Sequence, residues 1–112
     1  MKSEVIDHDD VRTIKLSGKI TIGAGDVTMR DLIHAAIDEG KKKILVDLGE
    51  VKAVDSSGIG ELVAAYTTVK KHGGRLALLH LSPKIDDILQ VTQLVTVFDV
   101  FDDEESALAA FS

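Results

Sequence analysis

Asp55-Ser56-Ser57-Gly58-Ile59-Gly60 is the segment whose residue types can do chemistry. It places two hydroxyls behind a carboxylate, then two glycines two residues apart, then the apolar Leu62-Val63. Asp and Ser satisfy the unpaired N–H groups of a starting helix, so capping accounts for one of these side chains. It leaves a second hydroxyl over, and it does not account for the glycines, each of which weakens a helix by about 1 kcal/mol relative to alanine. A bare surface that lets another protein's backbone or an ATP phosphate approach a serine accounts for them. Tight packing of the first turn against a neighbouring loop is the competing structural explanation. Ser57 is expected to hold the cap, leaving Ser56 exposed.

Other chemistries find little support. Gly58-Ile59-Gly60-Glu61-Leu62-Val63 has valine where a dinucleotide fingerprint needs its third glycine, and no GxxxxGK[ST] phosphate loop occurs. Val54-Asp55-Ser56-Ser57-Gly58 is not the GxSxG of a nucleophile elbow. His8, His34, His72 and His80 are dispersed without metal-ligand spacing and read as surface or strand-filling residues. Asp47 and Glu50 can form a carboxylate set with Asp55, but read better as a solvated loop and a cap. There is no cysteine, hence no disulfide, thiolate metal site or cysteine nucleophile. No catalytic residue, metal site or cofactor site is expected.

The elements that position this segment follow from periodicity. Val5-Ile6 and Val11–Leu16 flank Asp7-His8-Asp9-Asp10 and suit a short antiparallel pair. Gly18 through Asp26 reads as a loop, with Asp26 capping a helix in which Leu32, Ile33, Ala36 and Ile37 share a face. Gly40 ends that helix. Ile44–Leu48 has the look of a strand buried on both faces, and residues 49–54 read as the turn leading to the serines. Ser57–Lys71 follows as a helix with Ile59, Leu62, Val63 and Tyr66 toward the sheet. Leu76–Leu81 is a second buried strand, parallel to and beside Ile44–Leu48. Ser82 caps, and Pro83 begins, a helix whose core face is Ile85, Ile88, Leu89 and Leu94. Val95–Phe101 is a short edge strand, and Asp102 and Glu105 have capping-box spacing for a last helix. The expected fold class is α/β: a small, mostly parallel sheet of four to five strands, the first antiparallel, packed with about four helices in one domain spanning residues 1–112. In such a sheet, sites form beyond the carboxyl ends of the strands, where Asp55 and Ser56 fall.

The bulk properties agree. A net charge of −6 argues against nucleic acid and anionic membranes as partners. No apolar run approaches the ~18 residues of a membrane span, and the charged start lacks the apolar core of a signal peptide. A cytoplasmic protein is expected.

The stretch from Ile44 to Leu79, ILVDLGEVKAVDSSGIGELVAAYTTVKKHGGRLALL, resembles the STAS domain, and most closely the stand-alone anti-sigma factor antagonists of bacteria. The resemblance covers about Val11 to Phe111. It is carried by Asp47-Leu48, the run Asp55 to Gly60, the Lys70–Leu78 junction and the tail from Phe98 to Leu108. Gly18-Lys19-Ile20-Thr21 departs from the acidic segment that such antagonists often carry on their partner surface. The resemblance implies a phosphorylation switch. The unphosphorylated protein binds an anti-sigma factor serine kinase and frees a sigma factor. The kinase phosphorylates Ser56, the phosphoprotein lets go, and a PP2C-type phosphatase resets it. Partner binding would then involve Asp55, Ser57, Gly58, Ile59 and Gly60 around Ser56, in a monomer or weak dimer. An accessory STAS scaffold of a transport or stress-sensing complex is the alternative, and a serine hydrolase would need a base beside the serines that the local sequence lacks.

Overall fold

A computed structural model describes residues 2–21 and 26–111, with the side chain of residue 26 left out. The chain runs β1 (Lys2–His8), β2 (Val11–Ile20), α1 (Asp26–Asp38), β3 (Lys43–Val54), α2 (Ser56–Lys71), β4 (Arg75–Leu79), α3 (Pro83–Val91), a 3-10 turn (Leu94–Thr96), β5 (Asp99–Phe101) and α4 (Glu104–Ala110). The sheet has five strands in the order β1-β2-β3-β4-β5. β1 pairs antiparallel with β2 through the Asp9-Asp10 turn, and the other three pairs are parallel. The expected class and strand directions therefore hold.

Each parallel step moves one strand along in the same direction, so the three crossover helices collect on one face. Their apolar residues form one core with the facing strand residues: Met29, Ile33 and Ala36 from α1, Leu62, Ala65 and Val69 from α2, Ile85 and Leu89 from α3, against Ile14, Leu16, Ile44, Val46, Leu48, Leu76 and Leu78. The opposite face carries a smaller core of Val11, Leu45, Ala77 and Leu79 under Ala107 of α4 and Phe111 just after it. Alternating residues of β3 and β4 feed the two cores, which is why Ile44–Val46 and Leu76–Leu79 are consecutive apolar residues. The centre of the α2 stripe is Leu62, Ala65 and Val69, while Ile59, Val63 and Tyr66 flank it half-buried. Tyr66 meets Phe98 edge-on, ring centroids 5.4 Å apart.

Several boundaries differ from the sequence reading. β2 continues to Ile20 and β3 to Val54, so Gly18-Lys19-Ile20 and residues 49–54 are strand rather than loop. Ser17, Gly18, Lys19 and Ile20 pair with Glu50, Val51, Ala53 and Val54, across register shifts at Lys15/Ser17 and Gly18/Lys19. Gly18, at φ +103°, serves this irregularity rather than a turn. β4 stops at Leu79, because His80 turns into the left-handed region at φ +55°. Leu94 lies in the 3-10 turn, beyond the end of α3 at Val91. α4 is capped by Asp103, not Asp102: its carboxylate accepts the Ser106 N–H at 2.8 Å, which holds it below the usual carboxylate range. The expected loop at Gly23 and Gly25 lies outside the described residues, as does the capping side chain of Asp26. Ser82, Pro83 and Gly40 (φ +78°) fill their expected roles.

Arg12 ties the edge hairpin to the helix layer. Its side chain, 8% exposed, is bidentate to both Asp7 (2.8 and 3.1 Å) and Glu39 (2.8 and 3.1 Å). The guanidinium holds both carboxyls below their usual range, and they in turn raise its own pKa.

Two expectations follow. Leu45→Ala and Leu62→Ala, each removing a fully buried side chain from a different core, should each cost about 2–5 kcal/mol in denaturant melts; a loss under about 0.5 kcal/mol would contradict the core assignment. Carboxylates with lowered folded pKa contribute stability above their unfolded pKa and lose it as pH falls through the folded value. The stability advantage of the parent over Arg12→Met should thus be full at neutral pH and shrink below about pH 4; a gap constant down to pH 2 would contradict the pairing.

Candidate functional site

Beyond Asp47, β3 loses its β4 neighbour, since that pairing ends at Asp47↔Leu79. The rest of β3 pairs only with the far end of β2, forming a two-stranded arm that runs to Ile20 and Val54. Ile20, Val51 and Val54 are buried and anchor it to the core. The first turn of α2 sits at its tip, so Asp55 and the serines follow directly from ordered strand.

Asp55 has extended backbone (φ −106°, ψ −173°), and its Oδ1 accepts the Gly58 N–H at 2.9 Å. Its own N–H donates to the Ile20 carbonyl at 3.3 Å, and its carbonyl accepts the Ile59 N–H at 3.0 Å. The cap is therefore Asp55, which corrects the expectation for Ser57. A cap must precede the helix in extended conformation and reach the third helical N–H, and Ser57 is already the second helical residue. Ser56 is the first helical residue and exposed; Ser57 is half-buried. Among the described residues neither hydroxyl makes a hydrogen bond. No acidic residue lies in the first turn, so the partial positive charge of the helix N-terminus is met by the carboxylate of the capping Asp55.

The two glycines have different causes. A Cβ at Gly58 would lie 2.1 Å from the Ile20 carbonyl oxygen and 2.5 Å from Val54 Cγ2, so the close approach of α2 to the arm demands glycine. A Cβ at Gly60 would meet nothing within 4 Å. Packing explains the first glycine; the second leaves bare helix surface beside the half-buried Ile59, one turn from Ser56.

Asp47 and Glu50 do not join Asp55, because all three lie on one ordered strand and its end. Asp47 is buried; its Oδ1 accepts the Gly49 N–H at 3.0 Å and its Oδ2 lies 3.4 Å from His80 Nδ1. This contact and the burial of Asp47 correct its reading as solvated loop, while His80 is exposed, as a surface residue is expected to be. Two strands expected side by side and parallel, with Asp47 late in one apolar run and His80 late in the other, was the signal available for the contact. Among the described residues no group of three or more Asp, Glu or His could hold a metal ion, and no helix is long and apolar enough to cross a membrane. A groove of about 180 Å³ between α1 and α2 is bridged by Arg30 and Glu61.

The STAS domain pattern matches residues 2–107. The chain belongs to the STAS family. Its relatives include the anti-sigma F factor antagonist of Paenibacillus polymyxa, 24% identical over 108 residues, covering 96% of this chain and 92% of that protein. The anti-sigma-B factor antagonist of Bacillus subtilis is 28% identical, with 84% of each chain covered. In fold, this STAS chain resembles a putative anti-sigma factor antagonist of Thermotoga maritima, with a TM-score of 0.89 at 21% identity over 96% of this chain and 92% of that one.

The site geometry sets expectations for folding. Asp55→Ala should cost about 1 kcal/mol for the lost cap, while Ser57→Ala stays near the parent. Gly58→Ala should destabilise by about 1–3 kcal/mol through the clash with Ile20. Gly60→Ala should stabilise by about 0.5–1 kcal/mol. Thermal melts of the four variants check the set, and a destabilised Gly60→Ala would contradict the open surface at that position.

Proposed function

We propose that this STAS protein is an anti-sigma factor antagonist, a binding module switched by phosphorylation of Ser56, and no enzyme. The observation that carries the reading is an exposed Ser56 hydroxyl, without a hydrogen bond among the described residues, on the first residue of a helix whose cap is supplied by its neighbour. The names of the relatives support the role. In its unphosphorylated form the protein binds an anti-sigma factor serine kinase of the ATPase type and so frees a sigma factor. The surface for that partner is Asp55, Ser56, Ser57, Ile59 and Gly60, with Gly58 shaping it from beneath. Gly60 admits the partner's backbone. A PP2C-type phosphatase returns Ser56 to the free hydroxyl. The chain acts as one STAS domain in the cytoplasm, as a monomer or weak dimer.

The switch is electrostatic. Phosphate on Ser56 adds about −1.5 to −2 charge at pH 7. The fold tolerates it, because the helix N-terminus favours an anion by about 0.3–1 kcal/mol and the cap belongs to Asp55. A docked partner that accepted a neutral hydroxyl must instead desolvate the phosphate, beside the carboxylate of Asp55. A penalty of about 2.7 kcal/mol is a hundredfold in affinity.

Incubation with the anti-sigma factor kinase of the same cell and ATP should place one phosphate on Ser56 by mass spectrometry. Ser56→Ala should bind that kinase and not be released by ATP, and Ser56→Asp should bind about a hundredfold more weakly, both melting near the parent. Phosphate on Ser57 or on a threonine, or a Ser56→Asp variant that binds as tightly as the parent, would overturn the assignment.

A further inference from the structure

The two edges of the sheet end differently. β5 is three residues long, and a short edge strand is one way in which a sheet avoids pairing with another chain. β1, at the other edge, has no such protection. It is seven residues long, contains no proline, and pairs with β2 in seven consecutive steps without a bulge. Alternate residues of an antiparallel strand bond to its single neighbour, so the N–H and C=O groups of the others point away from the sheet. Every residue of β1 is exposed.

The side chains of β1 suit an added strand. Val5 is 43% and Ile6 39% exposed, and they are two of the five large apolar residues exposed to this degree among the described residues. They are adjacent at the middle of the strand and point to opposite faces. Val5 pairs with Ile14 on the side of the three-helix layer, and Ile6 pairs with Thr13 on the side of α4. Apolar surface on both sides of an open row of backbone groups matches a strand laid along the edge. The edge is also held in place beforehand, because Arg12 ties Asp7 to Glu39 of the segment that follows α1.

The charges select which strand. Self-pairing about a two-fold axis perpendicular to the sheet opposes residues of the same face, so the axis passes through a residue and never between two. Centred on Val5, the pairing takes in all seven residues: Val5 opposes Val5, Glu4 opposes Ile6, Ser3 opposes Asp7 and Lys2 opposes His8. With the imidazole neutral, no like charges face each other in this register. Centring on Glu4 opposes two carboxylates, and centring on Glu4 or Ile6 pairs only residues 2–6 or 4–8. We propose that a second copy of this chain pairs antiparallel along β1 in the register centred on Val5, joining the two five-stranded sheets edge to edge. The axis reverses strand direction, so the two Ser56 segments lie toward opposite ends of the joined sheet. The pairing does not depend on the Ser56 reading.

Sedimentation velocity of the whole protein over a concentration series should show a monomer passing to a dimer. Val5→Asp and Val5→Lys each place like charges on the axis, and each should weaken the dimer at least about tenfold while melting near the parent. An equal mixture of the two should restore it, because Asp then meets Lys, and mixing would not rescue a folding defect. The chain has no cysteine, so Val5→Cys with oxidised glutathione should give a disulfide-linked dimer, whereas Val27→Cys, at a position 49% exposed on α1, should not. A chain that stays monomeric at every concentration, a Val5→Asp variant that dimerises as tightly as the parent, or a mixture that remains monomeric would overturn the proposal. So would a monomeric chain in which Val5→Asp abolishes binding of the anti-sigma factor kinase, which would assign the edge to that partner.

Discussion

The Ile20 carbonyl oxygen is the point on which the site rests. It accepts the Asp55 N–H at 3.3 Å, and it occupies the space in which residue 58 would carry a Cβ. One backbone atom at the end of β2 thereby sets where α2 begins, how closely its first turn approaches the sheet, and that position 58 must be glycine. Any displacement of β2 relative to β3 would move the serines with it. The buried Ile20, Val51 and Val54 side chains hold that register through the irregular pairing at Ser17 to Lys19.

In the proposed switch, this arrangement separates stability from signalling within six residues. Asp55 and Gly58 face inward, one as the cap and the other as the close contact. Ser56 and Gly60 face outward and carry little of the folding energy. A modification on an outward residue can then change what the surface binds while the helix beneath stays in place, which is what a reversible switch on a small domain requires. With a total stability of about 5–15 kcal/mol, a domain of 112 residues could not tolerate a switch that broke its own cap at each cycle.

The far side of the sheet follows a different logic. The helix layer uses three crossovers to cover one face of β2, β3 and β4, and only the short α4 remains for the other. That imbalance leaves Thr13 and Asp47 buried in the wall of a cavity that no helix closes. It also explains why the hairpin edge needs the Arg12 bridge to Asp7 and Glu39, since β1 has no helix of its own to pack against and all seven of its residues are exposed.

Much of this was legible in the amino-acid sequence alone. The apolar runs at Ile44–Val46 and Leu76–Leu79, short and bounded by charged or glycine residues, read as strands buried on both faces, and their alternation with helical stripes pointed to a parallel sheet. Asp55 to Gly60 announced a helix start with one hydroxyl too many, and the resemblance to STAS domains rested on it. What the tertiary structure decided was everything that depends on a neighbour distant in sequence. Gly18 and Gly49 read as breakers, yet both lie within strands: one serves a register shift against β3, the other makes room for His80. Asp55 and Ser57 are equal as capping residues by type, and only the seating of the Asp55 N–H on Ile20 chose between them. Gly58 and Gly60 look alike in the sequence, and only the position of β2 made one a packing requirement and the other bare surface. Local preference determines which elements form; which atoms they bring within 3 Å of one another depends on how the sheet pairs, and pairing is not local.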